Sequence, residues 1–211
     1  MRYLFVGAHA DDIEIGCGGT LLKAFKKNQI YNFIATDSEY SDENGKLIRT
    51  KLDAKKDIDR CYRNKDIKNI INNEKVFYLE NNEILRSKLV RLKKKINPNV
   101  VFLPWIHDPH PDHKNLAEAV LSVFKDSENI FMYRSNWYYS VHNFKKNFFS
   151  DVTNYYKYKI KMVLCFKSEI KRTKSIWINK IQNECISNGN IINKKYAEAF
   201  EVVKISSGFK I

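Results

Sequence analysis

Short apolar runs alternate with longer amphipathic stretches along the first two thirds of the chain. Arg2–Gly7, Tyr31–Thr36, Lys75–Leu79, Val100–Pro104 and Ile130–Tyr133 are brief and rich in β-branched and aromatic residues, which predicts strands. Between them, Leu21–Lys27, Lys51–Tyr62, Ile84–Ile96 and a segment from Asp112 to about Lys125 read as helices. Leu85, Leu89, Leu92 and Ile96 mark one helical face, and Pro98 follows where a helix has to stop. Strand followed by helix, repeated, predicts an α/β fold: a mainly parallel sheet with helices on both faces. A chain of 211 residues fits a single domain over 1–211. Thr36–Lys46 is polar and turn-rich and reads as a loop. The last third is less regular. Ser135–His142 is expected as an aromatic loop near the site, Phe148–Val152 as a short strand, Asn154–Lys171 and Ser175–Ile186 as helices, and Ala199–Ile205 as a final strand.

Two of the strands run directly into histidine–aspartate clusters. Ala8-His9-Ala10-Asp11-Asp12 follows the first, and Pro109-His110-Pro111-Asp112-His113 follows the fourth. Ligands of open parallel sheets bind beyond the carboxyl ends of the strands, so both clusters are placed to share one site. His9 and Asp12, three apart on a turn, can reach one ion. His113 shares a helical face with Leu116 and Val120 and is the candidate third ligand. Two imidazoles and a carboxylate suit Zn2+ with a position left for water, and the same set admits Fe2+. Asp11 is then free to take a proton from water that the metal acidifies. His110, in a turn stiffened by Pro111, can stabilise an oxyanion or protonate a leaving amine, with Asp112 or Asp108 holding its tautomer. The plainer reading makes Asp12 and Asp112 helix caps, His9 a satisfied polar residue and His107 a bystander. Gly16, Gly18 and Gly19 match neither a dinucleotide nor a P-loop spacing, and are read as allowing close backbone approach at a helix start.

The net charge of +13 changes this picture little. The lysines are spread along helical faces, and no recognition-helix, zinc-finger or RNA-binding pattern accompanies them, so no nucleic-acid partner is expected. No apolar stretch is long enough to span a bilayer. The N-terminus enters a strand at once without a cleavable leader, which points to the cytoplasm. Cys17, Cys61, Cys165 and Cys185 are scattered, without a C-x-x-C pair, and are expected as free thiols rather than a disulfide framework.

The two clusters resemble those of the LmbE/PIG-L family of zinc-dependent de-N-acetylases. The A-H-[PA]-D-D segment and its Gly-Gly-Thr-Leu helix are matched by Ala8–Asp12 and Gly18-Gly19-Thr20-Leu21, and the H-P-D-H segment by His110–His113. Looser similarities are Thr36-Asp37-Ser38-Glu39 to a T-x-G-E turn, Lys161 to Ser168 to a helix closing in Ser-Gln, and Tyr196–Phe200 to a common C-terminal segment. The resemblance implies a Rossmann-like fold and a zinc ion held by His9, Asp12 and His113. It also implies Asp11 as general base and His110 as the group stabilising charge on the substrate, supported by Asp112. The implied reaction is removal of an N-acetyl group from an amino sugar, free or linked to a nucleotide or lipid. By the same analogy Arg49 and Asn82 fall at sugar-contact positions, and Trp137-Tyr138-Tyr139 supplies rings for stacking. The chain departs from the family pattern at Ala10 (often Pro), Ser38 (a turn Gly), Leu52 (often Glu) and Asn82 (often Asp). A metal-dependent amidase or esterase acting on a non-sugar substrate, and a metal-bearing binding protein without turnover, are the competing readings. A homo-oligomer is compatible with the sequence.

Overall fold

A computed structural model describes residues 1–211. In chain order the elements are β1 (Arg2–Gly7), α1 (Asp12–Phe25), β2 (Gln29–Thr36), β3 (Tyr40–Ser41), β4 (Leu47–Arg49), α2 (Lys51–Cys61), β5 (Ile67–Glu74) and α3 (Glu83–Ile96). They continue with β6 (Val100–Pro104), α4 (Pro111–Phe124), β7 (Asn129–Tyr133), β8 (Phe148–Asp151), α5 (Tyr156–Val163), α6 (Lys167–Arg172), α7 (Ile176–Ile191) and β9 (Ala197–Lys204). The main sheet has the order β5-β2-β1-β6-β7-β9-β8. β5, β2, β1, β6 and β7 pair in parallel, whereas β9 runs antiparallel to both its neighbours.

Alternation along the strands divides the core in two. Tyr3 and Phe5 of β1, with Val100 and Phe102 of β6, face one layer, where Ile13, Leu21, Ala54, Ile58 and Met162 of α1, α2 and α5 cover them. Leu4 and Val6, with Val101 and Leu103, face the opposite layer of α3 and α4, through Leu85, Leu89, Leu92, Leu116 and Val120. The strand order reverses between β1 and β6, which lie side by side with Tyr3 opposite Val100 and Phe5 opposite Phe102. That switch point opens a crevice at the carboxyl ends of these two strands, and both clusters emerge there.

Four expectations are corrected. The third strand is Ile67–Glu74, not Lys75–Leu79. Its Ile-Asn pattern is weak because it is an edge strand, and Asn69 and Asn72 bond to Asn32 and the Ala35 carbonyl of β2. Lys75–Leu79 turns instead, dropping Leu79 into the core and leaving Phe77 exposed. The first helix begins at Asp12, well before Leu21, and runs through its glycines with a kink at Cys17. The glycines do permit close approach: a Cβ on Gly16 would lie 2.1 Å from the Tyr133 ring, and one on Gly19 would lie 2.9 Å from Val152. The backbone groups released by the kink are taken up by a buried ion pair. Glu198 accepts the Gly19 and Thr20 N–H groups at 2.9 and 2.7 Å, and Lys159 donates to Glu198 and to the Ile15 carbonyl. The loop expected over Thr36–Lys46 contains half of a small hairpin, β3 with β4. The helix expected over Asn154–Lys171 breaks after Val163 into α5 and α6. No helix is long and apolar enough to cross a membrane, and all four cysteines are free thiols.

Candidate active site

The turn leaving β1 places His9, Asp11 and Asp12 in sequence. Asp11 precedes α1 at φ 133°, a region that residues with a side chain rarely occupy, and the surroundings pin it there. The Ala10 carbonyl accepts from Arg49 Nη1 at 2.9 Å, the Ala10 N–H donates to Ser38 Oγ at 2.9 Å, and the Asp11 carbonyl receives the Ile15 N–H. Ser38 itself sits at φ 59°, where the family pattern has glycine, and its hydroxyl joins this clamp. At the other strand end His110, not Asp112, caps α4: its Nδ1 accepts the Asp112 N–H at 3.2 Å, and Pro111 takes the first helical position.

The side chains converge. His9 Nδ1 and His113 Nε2 are 3.2 Å apart. One Asp12 oxygen is 3.3 Å from His113 Nε2, and the other is 3.6 Å from His9 Nδ1. Each group is oriented from behind. His9 presents Nε2 to Asp112 at 2.9 Å, and that carboxylate also receives the N–H groups of Phe77 and Leu79. His113 presents Nδ1 to Asp108 at 3.2 Å, and Asn136 bonds both Asp108 oxygens. Asp12 accepts from the His9 N–H and from Ser135 Oγ, each at 2.8 Å. With their outer nitrogens turned to carboxylates, both imidazoles aim the inner nitrogen and its lone pair at the same point. Donor atoms tetrahedrally placed around zinc are separated by about 3.3 Å, so these spacings fit a divalent ion. The nitrogens of His9, His110 and His113 also lie within 4.8 Å of one another, forming a second candidate triad. Asp12 is the better third donor. The Nδ1 of His110 is occupied by its capping bond, so the neutral ring carries its proton on Nε2 and is itself a donor.

The electrostatics separate the roles. Burial opposes ionisation of Asp12, yet the imidazoles of His113 and His9 hold its carboxyl far below the usual range. Burial likewise disfavours a charged His113, but Asp12 and Asp108 together raise it. His110 is lowered to about 4 by burial and by its two neighbouring imidazoles. Asp11 is pushed well up by burial, against the pull of Arg49.

A cleft of about 250 Å³ opens over this centre. Asp11 and Arg49 line it, with Arg49 Nη1 3.7 Å from Asp11 and 3.9 Å from Glu169. Nε and Nη2 of Arg49 are buried without a hydrogen-bond partner. Tyr40, Glu169, Arg172 and Trp177 form one wall, while Phe77 and Tyr138 rim the mouth. His9, Asp11, Asp12, Arg49, His110 and His113 are thus together. Asp112 reaches His110 only through its N–H, its carboxylate serving His9. Asn82 is not among the lining residues, and its side chain caps α3 through the Leu85 N–H. Trp137 turns away to Glu184 on α7, and Tyr139 is exposed. The sequence carried little sign of Glu169, Arg172 and Trp177, which arrive from distant helices. Ser135 and Asn136 fall in the loop expected near the site.

The chain is similar to characterised proteins along nearly its whole length. A diacetylchitobiose deacetylase of Thermococcus kodakarensis is 23% identical over 227 residues, covering 96% of this chain and 83% of that protein. Among solved structures, a conserved protein of Thermus thermophilus superposes with a TM-score of 0.81 at 22% identity, covering 99% and 96% of the two chains. The N,N′-diacetylchitobiose deacetylase of Pyrococcus horikoshii, solved with an inhibitor, gives 0.80 at 20% identity, covering 96% and 83%. These structural likenesses establish the fold. Residues 4–124, which carry both clusters and more than half of the sequence, match the family described as PIG-L, GlcNAc-PI de-N-acetylase, and the chain belongs to that family of deacetylases.

Proposed function

We propose that the protein is a zinc-dependent de-N-acetylase that hydrolyses the N-acetyl group of an amino sugar or sugar conjugate, releasing acetate and a free amine. The observation that carries this reading is the triad of His9 Nδ1, His113 Nε2 and the Asp12 carboxylate, whose mutual spacings are 3.2, 3.3 and 3.6 Å, beside an acid that is not part of it. His9, Asp12 and His113 would hold the ion, which supplies a polarised water and a polarised amide carbonyl when bound. The ion is zinc in this reading, and iron(II) fits the same donors.

The chain's own groups do the rest. Asp11, raised by burial, is suited to accept a proton from the attacking water and pass it on to the leaving nitrogen. Arg49, 3.7 Å away, opposes that rise and favours the ionised form of Asp11. His110 is neutral at physiological pH and carries its proton on Nε2, so it offers a hydrogen bond to the oxygen on which negative charge develops. Arg49 lines the cleft beside Asp11, where a guanidinium suits the hydroxyl and carbonyl oxygens of a sugar conjugate. Tyr138 and Phe77 offer ring faces at the mouth. A hydrolase of the same chemistry acting on non-sugar amides differs only in what it accepts there.

The deciding experiment measures zinc content and acetate release together. Protein purified without chelator is expected to hold about one zinc per chain, and to release acetate from N,N′-diacetylchitobiose or from an N-acetylglucosamine conjugate. Metal-loaded protein that hydrolyses simple amides but no N-acetylated sugar would replace this reading with the non-sugar amidase.

A further inference from the structure

One carboxylate of α6 gathers several polar side chains of the cleft wall. Glu169 is buried and lines the cleft. Its Oε1 accepts the Tyr40 hydroxyl, and the same atom lies 3.9 Å from Arg49 Nη1. Its Oε2 accepts from Arg172 Nε and Nη2 at 3.0 and 2.6 Å. Tyr40 comes from β3 and Arg172 closes α6, and both line the cleft beside Glu169. The Arg172 guanidinium also lies over two rings, 5.9 Å from the centroid of Tyr40 and 5.2 Å from that of Trp177. Its side chain is 40% exposed, yet it is held from behind by a carboxylate and flanked by two aromatic faces. That is far more restraint than an arginine at a cleft wall needs for solubility.

We propose that Glu169 is a positioning residue: it fixes Tyr40 and Arg172 as an acceptor and a donor for hydroxyl groups of the substrate, an inference that rests on the de-N-acetylase reading above. Paired with a guanidinium, Glu169 is a carboxylate, which accepts hydrogen bonds and donates none. Tyr40 therefore spends its one O–H proton on Glu169, and its phenol oxygen is left to the cleft as an acceptor. Arg172 spends Nε and Nη2 on the same carboxylate, so Nη1 is not engaged by it, and a guanidinium can only donate. One buried group thus imposes opposite polarity on two neighbours. A sugar hydroxyl both donates and accepts and can answer either of them, whereas a simple alkyl amide has no hydroxyl to offer. Glu169 acts through these two side chains on substrate affinity and leaves the hydrolytic step to the groups around the metal site.

The test measures acetate release from N,N′-diacetylchitobiose by zinc-loaded wild type and by Glu169→Gln, Tyr40→Phe and Arg172→Gln. Glutamine keeps the volume of Glu169 but can donate, so it frees the Tyr40 proton and weakens the hold on Arg172. KM is expected to rise about 10-fold in Glu169→Gln, with kcat within about 2-fold of wild type and zinc content unchanged. Tyr40→Phe and Arg172→Gln should each raise KM by about 3- to 10-fold. Added to the Tyr40→Phe/Arg172→Gln double variant, Glu169→Gln should change KM by less than about 2-fold, because the two groups it acts through are gone. Tyr40 is half-buried and Arg172 exposed, so these two variants decide the matter even where Glu169→Gln folds poorly. A wild-type KM in both of them, a fall in kcat at unchanged KM, or an equal effect of Glu169→Gln in the double variant would overturn the proposal while leaving the de-N-acetylase reading in place. Wild type that hydrolyses a simple amide but not the disaccharide would take both down.

Discussion

The Phe77 ring stacks on the imidazole of His110, with ring centroids 5.0 Å apart and planes 19° apart, while the Phe77 N–H donates to Asp112 at 2.8 Å. One residue thus touches the partner of His9 through its backbone and His110 through its side chain. It does so at φ 68°, in the left-handed region that a bulky residue rarely adopts. Phe77→Gly keeps that backbone accessible but removes the ring, whereas Phe77→Ala removes the ring and keeps the strain. The glycine variant is expected to be more stable than the alanine variant by about 1 kcal/mol in urea denaturation. Both should turn over more slowly than wild type, because His110 loses a wall. Equal stability of the two variants would show that the turn stores no strain.

Asp11→Asn removes the proposed base and leaves the triad intact. Acetate release is expected to drop by about 10²- to 10⁴-fold, with zinc content and far-ultraviolet circular dichroism unchanged. Turnover at the wild-type rate would remove Asp11 from the mechanism.

Asp108→Asn tests how His113 is oriented. The aspartate accepts from His113 Nδ1 and is itself held by Asn136. Zinc affinity, measured by competition with a chromophoric chelator, should weaken about 10- to 100-fold. Unchanged affinity would assign the ring's orientation to packing alone.

The Lys159–Glu198 pair is fully enclosed, and Glu198 also fills the broken turn of α1. Lys159→Met strands a buried carboxylate, so a loss of about 3–5 kcal/mol is expected in urea denaturation. The two N–H bonds to Glu198 remain, which favours the lower end of that range. A loss under about 1 kcal/mol would mean that water reaches the carboxylate.

Glu14 provides a pH signature in the metal-free protein. Burial raises it from 4.5 to about 7, against the hydrogen bond it receives from Tyr62. The folded state therefore holds this proton over a range in which the unfolded chain has released it. Its contribution is complete below pH 4.5 and is lost as pH climbs to about 7, a swing of about 3 kcal/mol. Across that interval Glu14→Gln should gain stability relative to wild type by this amount. Parallel pH profiles for the two proteins would place Glu14 in contact with solvent.

The sequence alone determined the alternation of strands and helices and the two histidine–aspartate clusters. Both are local facts: periodicity is set by the geometry of one segment, and a turn of a few residues brings His9 near Asp12, or His110 near His113, whatever the rest of the chain does. The tertiary structure decided everything that depends on which segments meet. An edge strand such as Ile67–Glu74 carries a weak pattern because only part of it is buried, so the stronger apolar run beside it drew the assignment. Asp112 looked like the partner of His110 because they are two apart, yet the crevice between β1 and β6 delivers its carboxylate to His9, far away in sequence. Glu169, Arg172 and Trp177 reach the cleft by long-range packing, which leaves no mark on the residues around them. Asn82 shows the converse: proximity to a family position suggested a sugar contact, and the backbone claims its side chain for a helix end. Local rules set what each segment can become, and the burial of two apolar layers against one sheet sets which functional groups share a cavity.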